Sequence, residues 1–259
     1  MTLNKSQIPE SCLARVSGST FVNADCFDVF PFIEDKSIDA IICDLPYGTT
    51  QCKWDSILPL DELWNEYERI IKDNGVIVLF GSQPFTSTVI NSNTKLFKYE
   101  LIWDKVSTSS GVMAKKQPMK CHENIMVFYK KQPTYNPQMY KGTQWKRGGK
   151  NRNTPQIYGD VKSIGKPKND VTDMKYPKSI VTFSNANRNN RIHPTEKQID
   201  LMEWIVKTYT NEGDIVLDNT MGSGTTILAA IKNNRIGIGI EKEKQYYDVA
   251  VRRASEYCH

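Results

Sequence analysis

The sequence predicts a protein of the α/β class, in which a mostly parallel sheet carries helices on both faces. Short apolar runs alternate along the chain with amphipathic stretches that have helical spacing. Such alternation is typical of strand–helix–strand units, whose crossovers place successive strands parallel in one sheet. The 259 residues, 39% of them hydrophobic, can bury one sizeable core and a smaller appendage, so we expect one or two domains.

Six runs are predicted as strands because each is short and apolar. They are 38–43, 76–80, 99–103, 125–129, 215–218 and 236–240. The predicted helices are 60–72, 196–210 and 224–234, which show amphipathic spacing. In sheets of this kind ligands bind beyond the carboxyl ends of the strands, so the residues that follow each strand are the first candidates for function.

Composition argues against a membrane or secreted protein and against a metal or disulfide framework. No stretch approaches the roughly 18 consecutive apolar residues of a membrane span, and the polar start MTLNKSQIPES lacks the apolar core of a secretory signal. The chain contains no CxxC pair, so its cysteines are expected to be reduced thiols. These are Cys12, Cys26, Cys43, Cys52, Cys121 and Cys258. We therefore expect a cytoplasmic protein without a metal site.

Positive charge is concentrated in residues 136–191. This segment has twelve Lys and Arg against three acidic residues, a net charge of +9, while the whole chain has +5. It is rich in Gly, Asn and Pro, contains several aromatic residues and shows little apolar periodicity, which indicates a loop-rich basic insertion. Charge runs usually mean a solvated surface. Segregated basic charge is also typical of nucleic-acid binding, because Lys and Arg displace the counterions of phosphates.

The segment that follows the predicted strand 38–43 is Asp44-Leu45-Pro46-Tyr47-Gly48. By itself it fits an ordinary turn, since Asp, Pro and Gly favour turns. A second strand end, 214–226, runs through a glycine turn into a helix, so its backbone can approach a ligand closely. The turn lacks the lysine of a phosphate loop, and Ile227 occupies the third glycine position of GxGxxG. Glu241, at the end of the next strand, is the acidic residue expected for a ribose hydroxyl, which indicates an adenosine-type cofactor without a pyrophosphate.

Four segments together resemble the motifs of the amino-group DNA methyltransferases, which use S-adenosylmethionine. Residues 44–47 resemble the catalytic DPPY motif, with Leu45 replacing the first proline, and LDNTMGSGTT at 217–226 resembles the cofactor motif DPFxGSGTT. The HPTEK segment at 193–197 resembles the motif that borders the methionine moiety, and Ala24-Asp25-Cys26 resembles the segment that contacts the adenine of the cofactor. Their order is that of the beta group of the family.

The resemblance implies a Rossmann-like methyltransferase fold with a basic insertion. It divides the chain into a catalytic half at 20–135, a target recognition region at 136–191 and a cofactor-binding half at 192–259. The residues implied in binding S-adenosylmethionine are Asp25, Cys26, His193, Thr195, Lys197, Asp218, Gly222, Gly224, Thr225 and Glu241. The implied catalytic residues are Asp44, Leu45, Pro46 and Tyr47.

The chemistry explains why the catalytic motif needs these residue types. An exocyclic amino nitrogen is a poor nucleophile because its lone pair is delocalised into the ring. The Asp44 carboxylate and the backbone carbonyl of Leu45 can each accept one of its N–H groups and stabilise the positive charge that develops during attack. Pro46 stiffens the turn. Tyr47 can stack on a base that has been flipped out of the duplex.

The expected partner is double-stranded DNA, methylated at N6 of adenine. Asp44, where N4-cytosine enzymes commonly have serine, favours adenine. An N4-cytosine or RNA-directed enzyme and a catalytically inactive DNA-binding homologue remain alternatives. The expected DNA-binding residues are Trp145, Lys146, Arg147, Lys150, Arg152, Arg188 and Arg191. A homodimer and a separately acting cognate restriction endonuclease are further partners to test.

Overall fold

A computed structural model of the chain describes residues 2–4, 8–48, 56–109, 111, 114–146, 171–185 and 197–258. The strands are β1 Leu13–Val16, β2 Ser19–Asn23, β3 Ile38–Cys43, β4 Ile71–Gly81, β5 Phe97–Ser109, β6 Lys120–Phe128, β7 Tyr140–Lys146, β8 Val171–Lys175, β9 Ile180–Thr182, β10 Ile215–Asp218 and β11 Ile236–Glu241. The α-helices are α1 Cys26–Val29, α2 Leu60–Ile70, α3 Phe85–Ser92, α4 Ile199–Tyr209, α5 Thr225–Lys232 and α6 Lys244–Cys258.

The main sheet has a parallel centre. Its strand order is β1-β2-β11-β10-β3-β4-β6-β5-β9. The strands from β2 to β4 in this order are parallel, β6 is antiparallel to both of its neighbours, and β9 is parallel to β5. This confirms the predicted α/β class with a mostly parallel sheet. The two strands that carry the cofactor-type and DLPYG motifs, β10 and β3, are direct neighbours.

Both faces of the central strands are buried, which explains their continuous apolar sequence. Ile41 and Cys43 of β3 belong to a core that α2 and α3 cover, whereas Ala40 and Ile42 belong to the core under α4. Because side chains alternate along a strand, most residues of a doubly covered strand are apolar. Asp39, near the start of β3, is only half-buried and forms an ion pair with Lys72. Consequently β3 has the bounds that its sequence predicts, 38–43.

The alternating sequence IGIGI of β11 reflects close packing of α5. Ile238 and Ile240 enter one core, while the glycines lie under α5 and the turn before it. A Cβ atom at Gly237 would lie 2.6 Å from Cγ2 of Ile227, so only glycine fits there. This packing holds α5 against the sheet, with its N-terminus at the carboxyl end of β10.

The other predicted strands and helices are also found, but several elements had no sequence signal. The N-terminal hairpin β1–β2 and helices α1, α3 and α6 were not predicted. By its internal contacts the chain divides into two compact units, residues 1–136 with 179–259, and residues 137–178. The second unit contains the antiparallel hairpin β7–β8. Residues 180–182, inside the predicted insertion 136–191, form β9 beside β5 in the main sheet.

No helix among the described residues is long and apolar enough to span a membrane. Within the same ranges, no group of three or more His, Cys, Asp and Glu is arranged to hold a metal ion.

Candidate active site

The ends of β3 and β10 bring the two main motifs together. Val216 and Leu217 of β10 pair with Ala40 and Ile41 of β3, so the residues that follow the two strands are neighbours. The Thr220 hydroxyl donates a hydrogen bond to the backbone carbonyl of Asp44 at 3.2 Å. The DLPYG segment and the glycine turn therefore form one continuous site.

The Asp44 carboxylate is held by two side chains. Its Oδ1 accepts a hydrogen bond from the Tyr47 hydroxyl at 2.7 Å. Its Oδ2 forms an ion pair of 2.7 Å with Nζ of Lys197, which directly precedes the N-cap of α4. The Asp44 side chain remains 24% exposed, so a carboxylate held in fixed geometry is still accessible from outside.

Lys197 and Asp44 belong to a chain of four charged side chains. Lys197 Nζ also lies 3.0 Å from Oε2 of Glu123 in β6, and the other oxygen of Glu123 is paired with Lys105 of β5. Burial would raise the pKa of Glu123, but Lys197 and Lys105 outweigh it and hold this pKa at about 2. Burial would lower the pKa of Lys197, but Asp44 and Glu123 raise it above its ordinary value. Lys197 is therefore an ammonium and Glu123 a carboxylate at neutral pH.

Burial raises the pKa of Asp44 itself, and the adjacent Lys197 ammonium offsets part of this increase. The charge of Glu123 acts in the opposite direction to that of Lys197 and raises the pKa of Asp44. The proton affinity of Asp44 thus depends on both Lys197 and Glu123.

Aromatic rings line this part of the site. The Tyr47 ring stacks on Phe85, with centroids 5.0 Å apart and planes 27° from parallel. Lys197 Nζ lies 5.1 Å from the ring centroid of Phe80 and 5.8 Å from that of Tyr47, within the range of a cation–π contact. Leu45 is only 3% exposed and packs into the core, where it anchors the loop next to Pro46.

The end of β10 carries a buried carboxylate of a different kind. Asp218 is 2% exposed, and its Oδ1 accepts a hydrogen bond from the backbone N–H of Thr220 at 3.1 Å. In the described part of the chain no Lys or Arg forms an ion pair with it. Burial raises the pKa of Asp218 to about 7, because the hydrogen bonds of Thr226 and Thr220 offset only part of the desolvation.

Glu241 at the end of β11 has both oxygens fixed by backbone groups. Oε2 accepts from the N–H of Gly222 at 2.9 Å, and Oε1 accepts from the N–H of Glu243 at 2.7 Å. Gly222 has φ +53, a left-handed conformation that glycine adopts easily. Glu241 therefore ties the glycine turn to the end of the neighbouring strand.

Gly224 and Thr225 have packing roles of their own. Gly224 has φ +78, and a Cβ atom there would lie 2.7 Å from Cβ of Ala250 in α6. Arg253 of α6 donates to the carbonyl of Ser223 at 2.7 Å and to the hydroxyl of Thr225 at 3.3 Å. The turn is thus held in shape by α6 as well as by Glu241.

The segment at the end of β2 lies at the same edge of the sheet. Asn23 pairs with Glu241, and the Asp25 side chain caps α1 by accepting the N–H of Phe27 at 3.1 Å. Asp25 also pairs with Lys242 at 3.1 Å. Cys26 is 5% exposed, and burial raises its pKa to about 11, so it is a neutral thiol.

A buried polar cluster behind the two motifs was not predicted. Asn219 Oδ1 accepts hydrogen bonds from the Tyr67 hydroxyl at 2.5 Å and from the Cys43 thiol at 2.9 Å. Asn219 stands where the resembling cofactor motif has proline, and this departure is the one sequence signal that pointed to it. Asn219 therefore joins the ends of β10 and β3 to α2.

Glu123 and Lys105, the other two members of the ion chain, were also not predicted as site residues. These residues lie within β6 and β5, beside buried apolar runs, and the sequence alone does not show that these strands pair. Their proximity follows from the antiparallel register of β5 and β6, in which Trp103 lies opposite Glu123.

Several predicted site residues cannot be compared with this geometry. His193 and Thr195 lie outside the described residues. So do five of the predicted DNA-binding residues: Arg147, Lys150, Arg152, Arg188 and Arg191. Trp145 and Lys146 belong to β7, where their backbones pair with Thr172 and Val171 of β8. These assignments stay predictions.

Comparison with known proteins agrees with the resemblance that the sequence motifs show. The model of the N6/N4 family, described as DNA methylase, matches residues 38–252. The Type II methyltransferase M.HpaI of Haemophilus parainfluenzae is 29% identical over 236 residues, covering 85% of this chain and 69% of the relative. The DNA adenine methyltransferase YhdJ of Escherichia coli K12 is 30% identical over 259 residues, covering 93% and 84%.

Solved structures show the same architecture. The crystal structure of the M1.HpyAVI-SAM complex has a TM-score of 0.62 and 28% identity, covering 90% of this chain and 98% of that one. The PvuII DNA methyltransferase, named as cytosine-N4-specific, has a TM-score of 0.65 at 16% identity, covering 92% and 86%. At that identity the second likeness concerns the fold alone.

Proposed function

Since the chain belongs to the N6/N4 DNA methylase family, we propose that it methylates the N6 amino group of adenine in double-stranded DNA. The methyl donor is S-adenosylmethionine, and DNA is the substrate of the family. One observation carries the proposal: the Asp44 carboxylate lies beside the glycine turn, joined to it through the Thr220 hydroxyl. The adenine assignment is supported by Asp44 and by the relative named a DNA adenine methyltransferase.

The strand ends of β10 and β11 fit the cofactor. S-adenosylmethionine supplies a methyl group on a positively charged sulfonium and also carries an ammonium and ribose hydroxyls. Asp218 has no cationic partner among the described residues, so its carboxylate suits a positively charged ligand. Glu241 is oriented by two backbone N–H groups and has lone pairs left for ribose hydroxyls. Asp25 and Cys26 are proposed to flank the adenine of the cofactor, next to the turn of Gly222, Gly224 and Thr225.

At the catalytic end, Asp44 and the Leu45 carbonyl accept the two N–H groups of the target amine. The amine nitrogen would gain the methyl group as the methyl–sulfur bond of the sulfonium breaks and leaves a neutral thioether. The nitrogen then loses a proton, for which Asp44 is the adjacent acceptor. The predicted methionine-binding segment is divided between two roles. His193 and Thr195 stay assigned to the methionine end, whereas the ion pair of Lys197 with Asp44 supports a role for Lys197 at the catalytic carboxylate.

The target base must leave the duplex, because its amino group is inaccessible in the stack. We propose that the Tyr47 ring stacks on the flipped base. Its present partner, Phe85, holds the ring at 27° from parallel and fixes its plane. A preoriented aromatic ring loses less conformational freedom when the base arrives.

The basic segment 136–191 is proposed as the target recognition region. Its charge of +9 suits DNA phosphates, with Trp145, Lys146, Arg147, Lys150, Arg152, Arg188 and Arg191 as the candidate contacts. The Type II names of the relatives support a role in restriction–modification. A homodimer and a cognate restriction endonuclease stay predictions.

Expression in a methylation-deficient bacterial host tests the function. Sequencing of the host DNA with modified-base detection should find N6-methyladenine at one short recognition sequence. Digestion of the DNA to nucleosides should give N6-methyl-2′-deoxyadenosine as the modified product, and a host that carries Asp44→Ala should give none. Modified cytosine would favour the N4-cytosine alternative, and unmodified DNA with a folded protein would favour the inactive DNA-binding homologue.

A further inference from the structure

Glu123 is a half-buried carboxylate outside the recognised motifs, and within the described residues Lys197 joins it to the catalytic carboxylate. Its side chain is 14% exposed, and its two oxygens are paired with Lys105 and Lys197. Lys197, 9% exposed, lies between Glu123 and Asp44, at 3.0 Å and 2.7 Å from their oxygens. Asp44, Lys197 and Glu123 thus form a half-buried triad in which one ammonium bridges two carboxylates.

The triad has an electrostatic consequence for methyl transfer. The amino nitrogen becomes positively charged as it attacks, so the site must be electronegative at Asp44. An ammonium 2.7 Å from Asp44 opposes this requirement, because a neutral Asp–Lys pair attracts a new positive charge only weakly. Glu123 adds a second carboxylate next to Lys197, while Lys105 pairs with its other oxygen, so the four-residue chain is neutral overall. Glu123 therefore shares the Lys197 ammonium with Asp44, and less of this positive charge acts on the Asp44 carboxylate.

The same contacts fix the geometry of Lys197. A lysine side chain has a flexible stem, and one carboxylate defines only one contact of its ammonium. Glu123 is itself clamped by Lys105 and provides a second fixed contact, while the rings of Phe80 and Tyr47 lie 5.1 Å and 5.8 Å from Nζ. The position of Lys197 against Asp44 is set from several sides at once.

From this geometry, and resting on the proposed function, we infer that Glu123 is a positioning residue for methyl transfer, which acts through Lys197 on the charge and orientation of the Asp44 carboxylate. Its role is distinct from cofactor binding, since its contacts lie in the ion chain and none reaches Asp218 or Glu241. Removal of its charge should lower the rate of the chemical step and leave cofactor affinity unchanged.

The variant Glu123→Gln tests this inference, because it keeps the size of the side chain and removes its charge. The full-length protein is assayed with DNA from a methylation-deficient bacterial strain and tritiated S-adenosylmethionine. We expect kcat to fall about 10–100-fold, less than the roughly 10²–10³-fold loss for a group that contacts the reacting atoms directly. KM for the cofactor and its calorimetric Kd should stay within about threefold of wild type.

The chain offers a matched control in Glu203 of α4. It also bridges two lysines, with Lys232 at 2.5 Å and Lys207 at 3.5 Å, and its side chain is 17% exposed. Lys232 ends α5, a helix that begins at the active edge of the sheet, so this cluster lies toward the opposite edge. Glu203→Gln should keep wild-type kcat, which separates a general cost of breaking an ion network from an effect on Asp44.

The pH profile of kcat gives a readout that a purely structural role would not move. Among the described residues, the charged or titratable groups that act on Asp44 are Lys197, Glu123, Lys105, Tyr47 and Asp218. The charge of Glu123 raises the pKa of Asp44, so Glu123→Gln should shift the acidic limb of the profile to lower pH. An acidic limb at the wild-type position, with a lowered plateau, would contradict action through Asp44.

A double-mutant cycle tests the route through Lys197. Lys197→Met should lower kcat, and addition of Glu123→Gln to it should cause little further loss, because the connection is already broken. Fully multiplicative losses would overturn the inference. If the Gln variant fails to fold, Glu123→Asp serves instead, since its shorter side chain cannot keep both lysine contacts; about 3–10-fold loss of kcat is expected, and wild-type kcat would overturn the inference. A wild-type protein without methyltransferase activity would instead refute the proposed function.

Discussion

Two carboxylates, Asp44 and Asp218, stand at the ends of neighbouring strands and are held in opposite ways. The first is paired with a lysine of the chain itself, at 2.7 Å. The second is almost fully buried, receives only neutral hydrogen bonds from the described residues and has a pKa raised to about 7. The free protein therefore balances the charge of Asp44 and leaves the carboxylate of Asp218 without a cationic partner among the described residues. A buried carboxylate without a cation is costly by itself, but it is ready for a positively charged ligand.

The largest expected effect comes from Asp44→Ala. Its acceptor matters most once the amino nitrogen gains charge, so kcat should fall about 10³-fold or more. Cofactor Kd, measured by calorimetry, should stay within about threefold of wild type, because the Asp218 end is untouched. Wild-type turnover in this variant would refute the catalytic assignment, and parallel loss of cofactor binding would remove the contrast between the two ends.

Asp218→Asn should stabilise the free protein while it weakens cofactor binding. The folded pKa of Asp218, about 7, lies above the ordinary value, so its favourable contribution exists at low pH and is lost as pH rises toward 7. At pH 8 the free energy of unfolding of the variant should exceed that of wild type by about 2–4 kcal/mol, and the difference should shrink toward pH 5. Urea denaturation at both pH values measures this. A variant less stable than wild type at pH 8 would show that the carboxylate already has a stabilising partner.

Gly224→Ala should destabilise the glycine turn through packing. The substitution adds a Cβ atom 2.7 Å from that of Ala250 in a left-handed backbone conformation, with an expected cost of about 2–3 kcal/mol. Gly213→Ala is a matched control, because Gly213 has φ +83 and open space around its Cβ position, so only the backbone strain of about 1 kcal/mol should appear. Thermal unfolding compares the two. Equal losses would mean that α6 yields and that Gly224 is needed only for its backbone angle.

The smallest expected effect belongs to the basic segment. Lys146→Ala should weaken binding to all DNA sequences alike and reduce the slope of log K against log salt by about 0.9, if this lysine contacts one phosphate. Cofactor affinity at the strand ends should not change. Fluorescence anisotropy at several salt concentrations makes the measurement, and an unchanged slope would assign the charge of Lys146 to a solvated surface.

The contrast between the strand ends was only partly predictable from sequence. Strand β3 and the motif after it could be predicted because a strand buried on both faces needs a continuous apolar run. The hairpin β1–β2 and the four-residue α1 are too short to show a period. Glu123 could not be assigned, since its distance from Lys197 follows from the register of β5 and β6 and from the approach to α4.

The contacts of a residue in the structure can also differ from the role that its motif predicts. Gly224 was assigned to the cofactor turn from its motif, where it allows close approach of a ligand. Its Cβ position is in fact filled by Ala250, a contact that depends on how α6 packs on α5. Lys197 was assigned to the methionine end, while its ion pairs connect it to Asp44 and Glu123. Motifs predict which residues gather at a site, and packing determines what each one contacts.

Proton release on cofactor binding tests the contrast most directly. Calorimetric titration of S-adenosylmethionine at pH 7, in two buffers with different ionisation enthalpies, gives the number of protons released. If Asp218 is half protonated in the free protein and ionises against the positively charged ligand, wild type should release about half a proton more than Asp218→Asn at saturating cofactor. Asp44→Ala should release slightly less than wild type but more than Asp218→Asn, because the charge of Asp44 contributes to the raised pKa of Asp218. Equal proton release by wild type and Asp218→Asn would contradict the account, because Asp218 would then already be ionised and balanced before the cofactor binds.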